Sequence, residues 1–404
     1  MGLLGRQRAQ GSPPASTTVP TRPGDEGSRL GVAARDYRRA VWQVLPAWIV
    51  ARLLVVATLA VAHGIVSRVR PGNTGAELRV HQGLLAWDGG WYQSIAGHGY
   101  AGSGLQSVRF FPALPMAARV LGRVPGVGVG AAVVIIANLC SLAAMAALVV
   151  LVRHDLRDRE LARRSAWLLA LAPSAFSLVL GYADGPLLLC SIVTMLAART
   201  RRWWWAVGAG LAGGLVRPLG ILLVIPVLIE VWQSRRSAGS ATRWAARGAA
   251  VAAPIVGTGI YLAWVRAQFG DAWLPFRVQQ QLGHRGAVAF PLTSMWHNLT
   301  SVVHGHHLGS ASHIPWVVLS AALLVLAFRR LPLSYAAFAA SVLVVSLTSS
   351  NLDSFERYAL GAFPLVVAAS TLTSRRAVEA AVLAVAATGM VGYAMLAFLG
   401  VAVP

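Results

Sequence analysis

Eleven apolar runs, separated by short segments rich in Arg, Gly and Pro, leave this chain few ways to fold. They occupy 42–62, 127–152, 165–180, 186–198, 203–216, 219–232, 248–265, 314–328, 333–348, 358–371 and 377–399. A bilayer core takes up about 20 apolar residues per helix. Hydrophobic residues make up 56% of the 404 positions and charged residues 12%, about half the charged share of a soluble domain. The chain therefore reads as an all-α polytopic membrane protein, a bundle of about 11 transmembrane helices. Several runs are short and bounded by Gly or Pro, which predicts tilted or broken helices around a cavity.

The formal net charge of +21 comes entirely from Arg, because the chain has no Lys. Its distribution excludes a nucleic-acid role: the arginines collect between the apolar runs. Cytoplasmic loops retain basic residues. Placing residues 1–40 inside and alternating puts 153–164, 199–202, 235–247, 329–330 and 375–376 inside too, with about 23 of the 35 arginines. Residues 1–40, rich in Pro, Gly, Ser and Arg, read as a disordered basic cytoplasmic tail, and 41–404 as the membrane domain. Arg in place of Lys fits GC-rich bacterial coding, and hence a bacterial plasma membrane. Cys140 and Cys190 lie inside apolar runs and should pack as thiols.

Two long segments, 63–126 and 268–313, fall on the outer side, and long ordered loops of this kind usually carry function. The first holds Trp87-Asp88-Gly89-Gly90-Trp91-Tyr92, followed by His98-Gly99-Tyr100 and by Arg109-Phe110-Phe111-Pro112. Aromatic surroundings should desolvate Asp88 and raise its pKa, suiting a general base, while the rings offer faces for a sugar. The plainer reading makes Asp88 a helix cap and the aromatics an interface belt. Beyond Pro112 a short amphipathic helix should run to about Arg123.

Three further outer turns carry charge: Tyr182-Ala183-Asp184-Gly185, Arg217-Pro218 and Asp353-Ser354-Phe355-Glu356-Arg357-Tyr358. A carboxylate at membrane depth is a functional candidate, and a guanidinium fork at the boundary matches a phosphate oxygen. Asp88, Asp184, Arg217 and Arg357 all fall on one face of a topology fixed by other residues. Arg52, in mid-span, costs about 2.5–3.5 kcal/mol if unpaired and should find a partner such as Asp184, Asp353 or Glu356. His297, His304, His306, His307 and His313 invite a metal reading, but their Gly- and Ser-rich setting lacks the fixed spacing of a tight site. Gly208-Ala209-Gly210-Leu211-Ala212-Gly213 matches a dinucleotide pattern but lies inside an apolar run, where small residues pack helix on helix.

The segment from Trp87 to Pro115, with Tyr182-Ala183-Asp184, Arg217-Pro218-Leu219-Gly220, Glu356-Arg357-Tyr358 and Phe363-Pro364, resembles the PIG-V-like membrane mannosyltransferases. Asp184 stands where that family usually has Glu. The resemblance implies a GT-C glycosyltransferase that moves mannose, or a related hexose, from a polyprenyl-phosphate donor to a cell-envelope acceptor on the outer face. Asp88 would then be the catalytic base, with Arg217 and Arg357 on the donor phosphate. Trp87, Trp91, Tyr92, His98, Tyr100, Arg109, Tyr182, Asp184 and Arg52 would be substrate contacts. The acceptor does not carry over. No cofactor is implied; a divalent ion is left open, because no nucleotide diphosphate has to leave. The alternatives are a flippase for a lipid-linked sugar and a non-catalytic envelope accessory protein; the former should show a repeat relating two halves, which the sequence lacks.

Overall fold

A computed structural model describes residues 24–69, 74–235, 240–281, 285–303 and 312–401. Its helices are α1 (Gly24–Val69), α2 (Thr74–Gln82), α3 (Asp88–Gly102), α4 (Ala113–Leu121), α5 (Val129–Leu156), α6 (Arg159–Leu171), α7 (Asp184–Arg199), α8 (Trp203–Val216), α9 (Val224–Gln233), α10 (Ala241–Phe269), α11 (Leu274–Gln279), α12 (Pro291–Val303), α13 (Ile314–Arg330), α14 (Leu333–Leu347), α15 (Phe355–Gly361), α16 (Pro364–Ser370) and α17 (Arg376–Phe398). Among the described residues the only extended pairing is one antiparallel bridge, Val288 to Ser349.

Every apolar run holds a helix, but four helices, α1, α5, α10 and α17, are long and apolar enough to cross a membrane by length and composition. The other apolar helices are shorter. Proline explains much of the difference, because its missing N–H breaks the helical ladder. Pro173 and Pro218 each open a 3-10 segment, Pro173–Leu178 and Pro218–Leu223, and Phe363-Pro364 divides α15 from α16. These breaks match the expectation of interrupted helices.

The polar residues gather at opposite ends of the bundle. Asp184 begins α7 and Arg199 ends it; over its 16 residues a helix rises about 22 Å. At the Arg199 end, its guanidinium meets Asp155 at 2.8 Å and Glu230 at 3.1 Å, while Tyr335 donates to Asp155 (2.7 Å) and Ser334 to Glu230 (2.6 Å). Four helices, α5, α7, α9 and α14, are tied there by buried ionic groups that satisfy one another. Arg163 with Glu379 at 2.8 Å adds α6 and α17. The other end of α7 holds the charges expected on the outer face.

Two expectations are corrected. Helix α1 reaches back to Gly24, so the expected tail is not wholly without structure. From Arg35 onward the cause is packing: Ala40 is fully buried and Tyr37 donates to the Ala143 carbonyl at 3.1 Å. Residues 1–23 lie outside the described residues. Arg52 pairs with none of the proposed carboxylates. It donates to Asn138 Oδ1 (2.9 Å), Trp48 O (3.3 Å), Leu178 O (2.9 Å) and Ser141 Oγ, and lies 4.3 Å over the Trp48 ring. Neutral oxygens from α5 and the turn after Pro173 sit within one helical turn of its reach, whereas the acids belong to the polar end.

Of the glycine pattern in α8, Gly210 packs against Pro254 of α10 and Gly213 against Leu223, and the neighbouring Gly214 makes the tightest contact with α10. A Cβ at Gly214 would overlap the Pro254 carbonyl, and one at Gly257 the Leu211 carbonyl, whereas Gly208 faces open space. Overpacking at such a contact costs about 1–3 kcal/mol or more. Gly257→Val should therefore lower the thermal midpoint of the detergent-solubilised protein by several degrees, while Gly208→Ala leaves it unchanged; nanoscale fluorimetry reads both.

Candidate active site

Four charged side chains from four separated parts of the chain converge at one point. Arg357, in the first turns of α15, donates from Nη2 to Asp88 Oδ2 at 2.6 Å and places Nε 3.2 Å from both oxygens of Asp184. Arg217, the extended residue that ends α8, donates from Nη1 to Asp184 Oδ1 at 2.6 Å. Asp88 and Asp184 are the first residues of α3 and α7, where unsatisfied N–H groups favour negative charge. Arg357 is 5% exposed and Asp184 11%, but Asp88 is 25% exposed. The opening lies at Asp88.

Local backbone choices aim these groups. Trp87 has φ 59° immediately before Asp88, and Ser354 has φ 65° before the helix that carries Arg357. Such conformations cost non-glycine residues about 1–3 kcal/mol each and persist where the surroundings fix them. The Trp87 indole donates to the Ala397 carbonyl at 2.9 Å, with Arg79 stacked 3.9 Å over its ring. Asp88 therefore leaves a held turn and does not cap α3: the cap position is Trp87, which makes no side-chain cap bond. Gly185 lets α7 begin close against α5, since a Cβ there would stand 2.6 Å from the Ala137 carbonyl.

A cavity of about 550 Å³ opens over Asp88. Of the residues expected as substrate contacts, Trp87, Trp91, Tyr92 and Arg109 line it, together with Arg217 and Arg357, expected on the donor phosphate. Trp91 stacks on Phe110 with centroids 5.8 Å apart, and the Arg109 guanidinium lies 4.8 Å over Phe110, so aromatic rings and a cation pack together along one wall. Five expected contacts lie elsewhere. Asp184 sits behind Arg357 and Arg217, and Tyr182 is fully buried beneath Arg357, 4.7 Å from it, with its hydroxyl on the Ala86 carbonyl. Tyr100 braces the wall by donating to the Phe110 carbonyl at 2.7 Å. His98 is exposed and does not line the cavity: it follows Trp91 by seven residues on the same side of α3, about two turns further along the helix. Arg52 is the fifth outside the cavity, held among neutral oxygens.

Several lining residues were not anticipated: Arg79 on α2, Gln279 and Gln280 at the end of α11, Arg285, and Tyr358 as a lining group. The second outer segment reaches the cavity by docking α11 on the first, where Gln106 donates to Gln281 at 2.8 Å, and by the bridge at Val288. No sequence period marks such a meeting of two loops. His313 is bound to Glu356 (2.6 Å) and near Asp353 (3.6 Å); His304, His306 and His307 and the side chain of His297 lie outside the described residues. Among the described residues no three His, Cys, Asp or Glu side chains are grouped to hold a metal ion.

The charge state of Asp88 differs from expectation. Burial pushes its pKa up, but Arg357, then Arg217, outweigh burial and hold the carboxyl below its ordinary range. Aromatic neighbours in the sequence disclosed the desolvation and not the distant guanidinium. For His313 burial pulls down, while Asp353 and Glu356 raise it to about 9.

No protein-family model matches the chain, and no curated protein matches it. Solved structures similar to it include the Archaeoglobus fulgidus oligosaccharyltransferase with Zn and sulfate, at 13% identity and TM-score 0.41, over 88% of this chain and 52% of that one. The same enzyme tethered to an acceptor peptide containing the NVT sequon overlaps at 13% identity and TM-score 0.44, over 90% and 56%. This chain thus spans about half the length of those proteins. An overlap this loose assigns neither fold nor activity.

Two measurements check the electrostatics. Arg357→Gln leaves two largely buried carboxylates short of their common partner and should destabilise by about 3–5 kcal/mol, read as a fall in thermal midpoint. The pH dependence has opposite signs for the two groups. Asp88, with a depressed pKa, contributes stability that persists above about pH 3.9 and is lost only at lower pH, as its folded-state pKa is crossed. His313, with a raised one, contributes fully below about 6.5 and loses its contribution as pH rises through about 9. The wild-type midpoint should therefore decline on the alkaline side, and His313→Gln should remove that part of the decline.

Proposed function

We propose that the chain is a membrane glycosyltransferase of GT-C type that takes a mannosyl or related hexosyl group from a polyprenyl-phosphate donor, with Asp88 as base. The observation that carries this reading is a carboxylate, paired with Arg357, at the floor of a cavity of about 550 Å³ lined by Trp91, Phe110 and Arg109 and backed by two largely buried guanidiniums. A pyranose ring stacks on such aromatic faces, and the chemistry needs one base and cations for the departing phosphate.

In the proposed reaction Asp88 accepts a proton from an acceptor hydroxyl as its oxygen attacks the anomeric carbon. The bond from that carbon to the phosphate oxygen breaks, its electron pair leaves with polyprenyl phosphate, and the anomeric centre inverts. Arg357 links the two halves of this event. While it holds Asp88 the carboxylate is ionised but weakly basic. An anionic leaving group competes for the same guanidinium and frees the base as charge develops. Asp184 keeps Arg357 and Arg217 in place; these two arginines therefore set the charge on Asp88 and share the charge of the leaving phosphate. The outer face of a bacterial plasma membrane remains the proposed location, with the amino-terminal segment inside.

Loss of a general base reduces rate by about 10²–10⁴. Membranes with Asp88→Asn, given radiolabelled polyprenyl-phosphate mannose and a lipid extract from the source organism, should lose transfer to that extent. His98→Ala should stay within about twofold, since that side chain lies outside the cavity. Equal transfer by wild type and Asp88→Asn would remove Asp88 from the mechanism. Leaflet exchange of an unconsumed donor would favour the flippase.

A further inference from the structure

The charges already placed at the cavity floor cancel: Asp88 and Asp184 face Arg217 and Arg357. An incoming lipid phosphate carries further negative charge and needs a cation that is not matched there. Three further guanidiniums line the cavity, Arg79 over Trp87, Arg109 over Phe110 and Arg285, and of these Arg285 adjoins both the cluster and an exposed apolar strip. Its Nη2 donates to the Ser346 carbonyl at 2.7 Å, and its guanidinium lies 4.4 Å over the Tyr358 ring, which also receives Arg217 at 5.4 Å. Among the described residues no carboxylate lies within 4.0 Å of it. Arg285 therefore borders the neutral cluster, shares a ring with it and lines the same cavity.

The chain beyond Arg285 changes character abruptly. Backbone bonds fix it beside the end of α14: Asn351 N to Arg285 O (3.1 Å), Ser350 N to Ala287 O (3.0 Å) and Ala289 N to Thr348 O (3.4 Å). From this ladder Val288, Phe290 and Leu292 project 67–70% exposed, and on α14 Val344 and Val345 are 58% and 39% exposed. Val288 and Val345 also line the cavity. A single guanidinium at the head of an exposed apolar strip has the polarity of a lipid phosphate, a charged end and a long hydrocarbon.

We infer that Arg285 recognises the phosphate of a lipid-linked donor and that the donor's hydrocarbon leaves the cavity past Val288, Phe290 and Val345. This rests on the glycosyltransferase reading above and moves ground-state phosphate recognition from Arg217 and Arg357 to Arg285.

The test uses the purified full chain in phosphatidylcholine nanodiscs, with farnesyl phosphate, farnesol and inorganic phosphate as probes and tryptophan fluorescence as readout. Wild type should bind farnesyl phosphate at least about tenfold more tightly than either fragment, each tenfold step being about 1.4 kcal/mol. Arg285→Ala should erase that preference over farnesol, Arg285→Lys should restore part of it, and Asp88→Asn should keep it. Val288→Asn, which adds polarity without charge, should weaken farnesyl phosphate and leave inorganic phosphate unchanged. Unliganded thermal midpoints equal to wild type show that the variants are folded. Wild-type affinity in a folded Arg285→Ala overturns the inference while leaving sugar transfer intact. Equal binding of farnesyl phosphate and inorganic phosphate overturns the hydrocarbon path. Failure of wild type both to transfer sugar and to prefer farnesyl phosphate over farnesol overturns the underlying reading itself.

Discussion

One guanidinium holds the site together. Arg357 faces Asp88 at 2.6 Å and Asp184 at 3.2 Å, and through them it joins the start of α3, the start of α7 and the short helix α15. Two carboxylates brought this close without a cation would repel, and one would take up a proton. Arg357 stands between them and Arg217 beside Asp184, so each carboxylate has a guanidinium partner in a largely buried place. The helix N-termini beneath each acid add to this. Remove the central cation and the turn at Trp87, the seat of α15 and the cavity floor all lose their common tie.

The rest of the fold brings those groups to one level. Helix α7 carries Asp184 at one end and Arg199 at the other, so the polar cluster that ties α5, α7, α9 and α14 lies about 22 Å from the cavity. Between the two ends the contacts are apolar or small: the glycines of α8 against α10, and Arg52 satisfied by neutral oxygens. Apart from Arg52, the charged groups of the Arg199 and Arg357 clusters fall in two layers, the arrangement a chain with long apolar helices needs if its ends meet water and its middle meets lipid. The cavity stands in one layer, roofed by the two long segments.

Much of this was legible in the residues. Apolar runs placed the helices, and alternation of arginine-bearing loops put Asp88, Asp184, Arg217 and Arg357 at one level before any contact was known. Pro218 marked a real turn, whereas Pro173 and Pro364 break helices inside the runs 165–180 and 358–371 that read as continuous. What stayed hidden depends on distance in space. The sequence shows Trp87, Trp91 and Tyr92 beside Asp88 and so predicts a raised pKa; it does not show Arg357, distant in the chain, which reverses the sign. Arg52 seemed to need an acid, yet carbonyls exposed by the Pro173 turn and the Asn138 amide serve instead. His98 shares the motif but lies two turns beyond Trp91 along α3, past the cavity, while Arg285 sits in a segment without periodicity and reaches the cavity beside a backbone bridge.

The central claim is that Asp88 and Arg357 act as one unit at the cavity floor. A double-mutant cycle on sugar transfer, comparing Asp88→Asn, Arg357→Gln and the pair, measures that coupling directly. Residues in contact couple by about 0.5–3 kcal/mol, so the account predicts a double variant little worse than the more damaging single one. Losses that simply multiply would mean that the acid and the guanidinium work separately, and the account would be wrong.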